Sequence, residues 1–129
     1  MKYEYPYLKI RERFFPIIPI KIRLNKITVD TLAYLDSGAS TSLFTIDVAN
    51  QLNIDIKQGE KIHLGGISGK IAIYIHEIPV AIEDKSFKCK IGFSEEYIAS
   101  FNLLGRYNFF TKFLITFNET KRKIILEVI

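Results

Sequence analysis

The chain has 129 residues, 48% hydrophobic and 25% charged, with a formal net charge of +4. That is the length and composition of one globular domain, Met1–Ile129, and it excludes a disordered chain. Cys89 is the only cysteine, which excludes an intramolecular disulfide and a cysteine-based metal cluster within one chain.

The charge is spread along the chain. Lys121-Arg122-Lys123 is the densest basic cluster and reads as a solvated turn rather than a nucleic-acid patch. The first residues alternate tyrosine, charge and proline, without the apolar stretch of a signal peptide. No apolar run approaches the ~20 residues of a membrane helix, so the expectation is a soluble cytoplasmic protein with no membrane partner. Isoleucine and lysine are abundant and glutamine occurs only at Gln51 and Gln58. That bias fits a thermophile or an AT-rich genome.

In chain order, residues 1–14 form a basic amino-terminal extension and candidate dimer strand. Phe15 to Leu24 reads as a strand whose first part Pro16 and Pro19 confine to an edge. Asn25-Lys26 marks a turn, and Ile27 to Leu35 the returning strand. Asp36 to Ser42 is a small polar loop. Thr45 to Leu52 reads as a helix, with Thr45 able to cap it and Ile46, Ala49 and Leu52 on one face. Ile54 to Leu64 and Lys70 to Ile82 read as strands flanking Gly65-Gly66-Ile67-Ser68-Gly69, a long hairpin with a glycine-rich tip. Glu83-Asp84-Lys85 is a turn, Ser86 to Phe93 a strand carrying Cys89 as a core residue, and Phe101 to Leu104 a short strand broken by Gly105. Arg106 to Thr111 reads as a brief helix, and Phe113 to Phe117 and Lys123 to Val128 as a closing hairpin. The fold class is all-β with two short helices.

Asp36 carries the chemistry. An apolar strand runs straight into it, Gly38 permits a sharp turn that brings amides toward the carboxylate, Ser37 offers a hydroxyl, and Ala39 is small enough to pack beneath. On the tripeptide alone, a plain Asx-turn between strands explains these residues. Leu35-Asp36-Ser37-Gly38-Ala39-Ser40, followed downstream by Asn102-Leu103-Leu104-Gly105-Arg106 and the phenylalanine-rich Phe109 to Phe117, resembles the retropepsin-like (retroviral-type, single-lobed) aspartic proteases. The glycine-tipped hairpin, Gly65, Gly66, Ile67, Ser68 and Gly69, stands between the two motifs where that family has its flap.

The resemblance implies a closed β-barrel-like fold working as a homodimer, with one catalytic Asp36 from each subunit, and peptide or protein as substrate. It implies supporting roles in the active-site loop for Ser37, Gly38 and Ala39, and makes Leu104, Gly105 and Arg106 the second family motif. Two carboxylates at a dimer axis would share a proton and activate water, with no metal or cofactor. Leu35, Ile67 and Ile71 are expected to line the cleft. Viral relatives often carry an acid at the position of Ser40 that pairs with the arginine after the second glycine. Arg106 is present here without that acid, and its partner is left open. His63 and His76 read as exposed strand histidines, and Glu95-Glu96 as a solvated turn. The alternatives are a catalytically inactive binding or assembly module on the same fold, and a basic β-barrel that binds nucleic acid.

Overall fold

The computed structural model describes residues 1–66, 69–97 and 99–129. Alternation along the chain makes strands nearly everywhere. β1 (Lys2–Pro6), β2 (Leu8–Ile10), β3 (Arg13–Phe15), β4 (Ile17–Leu24) and β5 (Ile27–Leu35) come first. β6 (Ser42–Phe44) precedes helix α1 (Ile46–Gln51), and a single 3-10 turn, Ile56–Gln58, leads into β7 (Glu60–Gly66). β8 (Gly69–Ile82), β9 (Lys85–Phe93), β10 (Asn102–Leu104), β11 (Phe113–Asn118) and β12 (Lys123–Val128) complete the chain. Arg106–Phe110 is a distorted helical turn, extended at Tyr107 and left-handed at Asn108.

The main sheet runs β4-β5-β10-β6-β9-β8-β7, and β4 also meets β8 at Lys21↔Ala81 and Ile22↔Val80. That second meeting closes six strands into a barrel, leaving β7 and the first half of β8 as a projecting hairpin. Ile18, Ile20 and Ile22 point inward from β4 while Pro19, Lys21 and Arg23 face out. Pro19 has β5 as its neighbour and lies outside the short contact with β8, which is the edge position its missing N–H requires. The barrel is filled by isoleucine, leucine, valine and phenylalanine from every strand. Cys89 lies wholly inside, and burial pushes its thiol up to about 11, so it is an inert packing group.

Several expectations are corrected here. Residues 54–64 are not one strand, since the 3-10 turn occupies Ile56–Gln58. Ser42–Phe44 is a strand rather than the end of a loop, and all three of its residues are buried, so no alternation announces it. His76 is half-buried, bonded through Nε2 to the Ile56 carbonyl oxygen at 2.8 Å and set edge-on to Phe93. His63 is exposed, as expected.

The amino-terminal residues form strands of their own. β1 pairs with β12, and β12 with β11, in a separate three-stranded sheet. A Phe87–Phe109–Phe113 cluster, with centroids 5.2–5.9 Å apart, joins this sheet to the barrel. β2 and β3 make a hairpin whose turn residues Arg11 and Glu12 are left-handed, and Arg122 stacks on its Phe14 at 3.8 Å. Among the described residues no helix is long and apolar enough to cross a membrane.

Three tyrosines on one face of the amino-terminal stretch fasten it down. Tyr3 donates to Asp84, Tyr5 to Glu83 at 2.7 Å, and Tyr7 to Glu119. The bond to Asp84 pushes the Tyr3 phenol up to about 12, and Tyr5 and Tyr7 are raised too, first by burial and then by their carboxylate partners. A folded-state value above the unfolded one means stability present below about pH 10 is lost as pH climbs through the folded value. The melting temperature should therefore drop between about pH 10 and pH 12. The triple variant Tyr3→Phe, Tyr5→Phe, Tyr7→Phe should fall less over that window. Equal slopes by calorimetry would remove the tyrosines as the cause.

Candidate active site

β5 and β6 are consecutive in sequence but not adjacent in space, because β10 lies between them. β10 is parallel to β5, with Leu103↔Tyr34 and Leu104↔Leu35, and antiparallel to β6 at Leu103↔Leu43. The loop from Asp36 to Thr41 must therefore pass over the end of β10. It is tied there rung by rung. Asp36 N–H donates to the Leu104 carbonyl at 3.0 Å, Arg106 N–H to Ala39 at 2.9 Å, and Tyr107 N–H to Ser40 at 3.0 Å. Gly105 N–H donates to the buried Ser42 Oγ at 3.0 Å.

Gly105 is glycine because nothing larger fits beneath the loop. A Cβ there would stand 2.7 Å from the Thr41 carbonyl carbon and 2.9 Å from that of Ser40. These are backbone atoms, which cannot swing aside. Asn102 fixes the other end of β10. It is 4% exposed, accepts from Thr45 N–H at 2.9 Å, and donates to the Leu32 carbonyl at 2.9 Å and Thr31 Oγ1 at 3.2 Å. Thr45 is held through its backbone N–H, and α1 begins without a side-chain cap, contrary to the expectation for Thr45.

On this platform Asp36 is half-buried at the end of β5, while Ser37 and Gly38 are exposed and Ala39 is half-buried. The Asp36 carboxylate accepts from Gly38 N–H at 2.9 Å, and Ala39 N–H closes the turn on the Asp36 carbonyl at 3.2 Å. A Cβ on Gly38 would sit 3.2 Å from the same carboxylate oxygen, so glycine keeps the turn tight without displacing it. Strand alternation puts Leu32, Tyr34 and Asp36 on the face of β5 opposite the buried Ala33 and Leu35. Leu35 therefore belongs to the core and not to a cleft wall. The wall is aromatic instead. Tyr34 packs between Phe15 at 6.1 Å and Phe101 at 5.8 Å, and Tyr97 donates to the Phe101 carbonyl at 2.8 Å. The Tyr97 phenol is raised by burial and then by the nearby charge of Asp36.

The structure thus brings Asp36, Ser37, Gly38 and Ala39 together with Leu104, Gly105 and Arg106. The Arg106 side chain is exposed, and no ion pair holds it among the described residues. Gly65, Gly66 and Gly69 lie where β7 and β8 meet at the hairpin end, with Gly69 left-handed at φ +113°. Ile67 and Ser68, also expected in the flap, lie outside the described residues. Glu96 is exposed but not simply solvated, because its carboxylate accepts from Ala72 N–H at 2.7 Å. A cavity of about 640 Å³ lies away from this loop, lined by Met1, Tyr3, Ile20, Lys21, Asp30 and Glu83, among others.

The fold recurs in solved structures. A retropepsin-like aspartic protease from Rickettsia conorii superposes with a TM-score of 0.71 at 20% identity, over 98% of this chain and 91% of that one. This chain has the retropepsin fold. EIAV protease complexed with the inhibitor HBY-793 is similar with a TM-score of 0.56 at 20% identity, over 77% of this chain and 88% of that chain. The Rickettsia likeness covers 98% of this chain and so takes in most of the stretch before Phe14. No family model matches the sequence, and no match was found among curated proteins.

Gly105→Ala should cost about 1–3 kcal/mol or more, since the overpacked atoms are backbone. Asn102→Ala strands Thr45 N–H and the Leu32 carbonyl and should cost about 1–3 kcal/mol per stranded group. Gly65→Ala, where an added Cβ meets nothing within 4 Å, should stay within about 0.5 kcal/mol of the parent. Urea unfolding checks all three, and a Gly105→Ala midpoint equal to that of Gly65→Ala would refute the threading argument.

Proposed function

We propose that the protein is an aspartic endopeptidase acting as a homodimer, with Asp36 of each copy supplying one of two catalytic carboxylates. The observation that carries this reading is the Asp36-Ser37-Gly38 turn suspended on the Leu104–Tyr107 segment at the mouth of a retropepsin fold. A loop fastened by four backbone amides is stiff enough to hold a carboxylate in one place, which acid–base chemistry on a bound water requires. One chain carries one such carboxylate, so the second must come from another copy related by a two-fold axis.

In the dimer, two like charges at close range disfavour full ionisation, so the pair shares one proton. The ionised member takes a proton from water as it attacks the scissile carbonyl, and the protonated member donates to the carbonyl oxygen. No covalent intermediate forms. The exposed Ser37 hydroxyl is available to bond across the axis. Substrate lies extended beneath the β7–β8 hairpin, whose tip, Gly65 to Gly69, serves as the flap. Its side chains meet Tyr34, Phe101 and Leu32, so apolar and aromatic residues at the cut site are favoured.

The amino-terminal strand bears on assembly. β1 and β12 satisfy each other within one chain, so they are not both free for a partner. Among the described residues the outer edge of β1, a five-residue strand at one side of its sheet, pairs with no other strand, and a second β1 can match it. The aromatic wall and the Asp36 turn favour a peptidase over a binding module or a nucleic-acid barrel.

Asp36→Asn keeps the shape and removes the base. It should lower peptide cleavage at least a hundredfold, while sedimentation equilibrium still gives a dimer. A statine-type inhibitor should block the parent enzyme. Cleavage by Asp36→Asn at the parent rate would refute the catalytic assignment, and full activity in a strictly monomeric sample would refute the shared site.

A further inference from the structure

The hairpin formed by β7 and β8 leaves the barrel where β9 ends. The last β8–β9 rung is Tyr74↔Phe93, and the β8 residue whose N–H and C=O next face that side is Ala72. β9 has no residue left to meet it, yet both Ala72 groups are bonded. Ser94 Oγ donates to the Ala72 carbonyl at 2.6 Å, and the Glu96 carboxylate accepts from Ala72 N–H at 2.7 Å. The two side chains are joined in turn, because Glu96 N–H donates to Ser94 Oγ at 3.1 Å. Ser94 is wholly buried. Side chains thus build one further rung of the ladder, at the root of the projecting hairpin. The same loop continues to Tyr97, which is bonded to the Phe101 carbonyl, and Phe101 packs on Tyr34 two residues before Asp36. The grip on the hairpin and the wall of the cleft are therefore parts of one segment.

We propose that Ser94 and Glu96 are positioning residues for the enzyme, gripping the β7–β8 hairpin at Ala72 and setting the height at which it covers an extended peptide. The proposal rests on the peptidase reading for its kinetic consequence, but not for the grip itself. A carboxylate on a backbone N–H makes a strong bond, and a primary amide can still accept from the same N–H, so the conservative variant should keep what alanine loses. A hairpin released at its root still reaches the substrate but must be ordered at each binding event. That weakens ground state and transition state alike, so the loss appears in KM rather than kcat.

The test has two readouts on the full chain. Amide hydrogen exchange followed by NMR reads the grip without any turnover. In Glu96→Ala the Ala72 amide should exchange about tenfold faster, while Glu96→Gln should stay near the parent. Kinetics on a cleavable peptide then read the consequence. Glu96→Ala and Ser94→Ala should raise KM about fivefold with kcat within about twofold, and Glu96→Gln should restore KM. Unchanged Ala72 exchange in Glu96→Ala overturns the grip, and quickened exchange with an unchanged KM overturns the positioning role. A parent protein that cleaves nothing at all sinks the peptidase reading instead. The exchange data, equally measurable in Asp36→Asn, then decide the grip alone.

Discussion

Everything at the candidate site depends on one steric constraint: the backbone of Gly105 passing under the backbone of Ser40 and Thr41. The two segments approach so closely that a single methyl group would overlap main-chain atoms. That closeness lets Leu104, Arg106 and Tyr107 exchange hydrogen bonds with the loop above them, and it fixes where Asp36 can stand. The loop itself has no regular structure. Its rigidity is borrowed from a strand that belongs to a distant part of the sequence.

The polar groups that support this crossing are buried and satisfied. Ser42 and Asn102 are the two that matter, one receiving Gly105 N–H and the other joining β5, β10 and the start of α1. Among the described residues no buried side-chain nitrogen or oxygen is left without a partner. In a low-dielectric interior such groups are costly when unpaired and stiffening when paired, so they specify one register for β10. The exposed face of the loop, Ser37 and Gly38, remains free to meet other molecules.

Much of this was legible because the signals were local. Ile27–Leu35 alternates and ends at Asp36, Asn25-Lys26 takes left-handed conformations at both positions, and β12 has the bounds its pattern implies. What stayed hidden was set by tertiary neighbours. β6 is buried on every face, so it carries no period. Thr45 is an apparent cap whose N–H is claimed by a residue 57 positions away. Tyr3 and Tyr5 are half-buried and Tyr7 buried because carboxylates from remote turns meet them, which no pattern within residues 1–14 reveals. Glu96 looked like any surface acid until Ala72 was placed beside it. Gly38 and Asp36 could be read because each answers to its immediate neighbours. Asn102, the residue that sets β10, could not.

The insertion of β10 between β5 and β6 also governs the order in which the molecule can be made. β5 and β6 are synthesised early, yet they cannot pair with each other in the native register because the space between them is reserved. Their shared loop closes only when Asn102–Leu104 arrive from far along the chain, a contact of high sequence separation and correspondingly slow formation. A nascent chain that has completed the β4–β5 hairpin therefore holds Asp36 on an unsupported loop. The topology leaves the Asp36 turn without its support until β10, the strand that carries it, has joined the sheet.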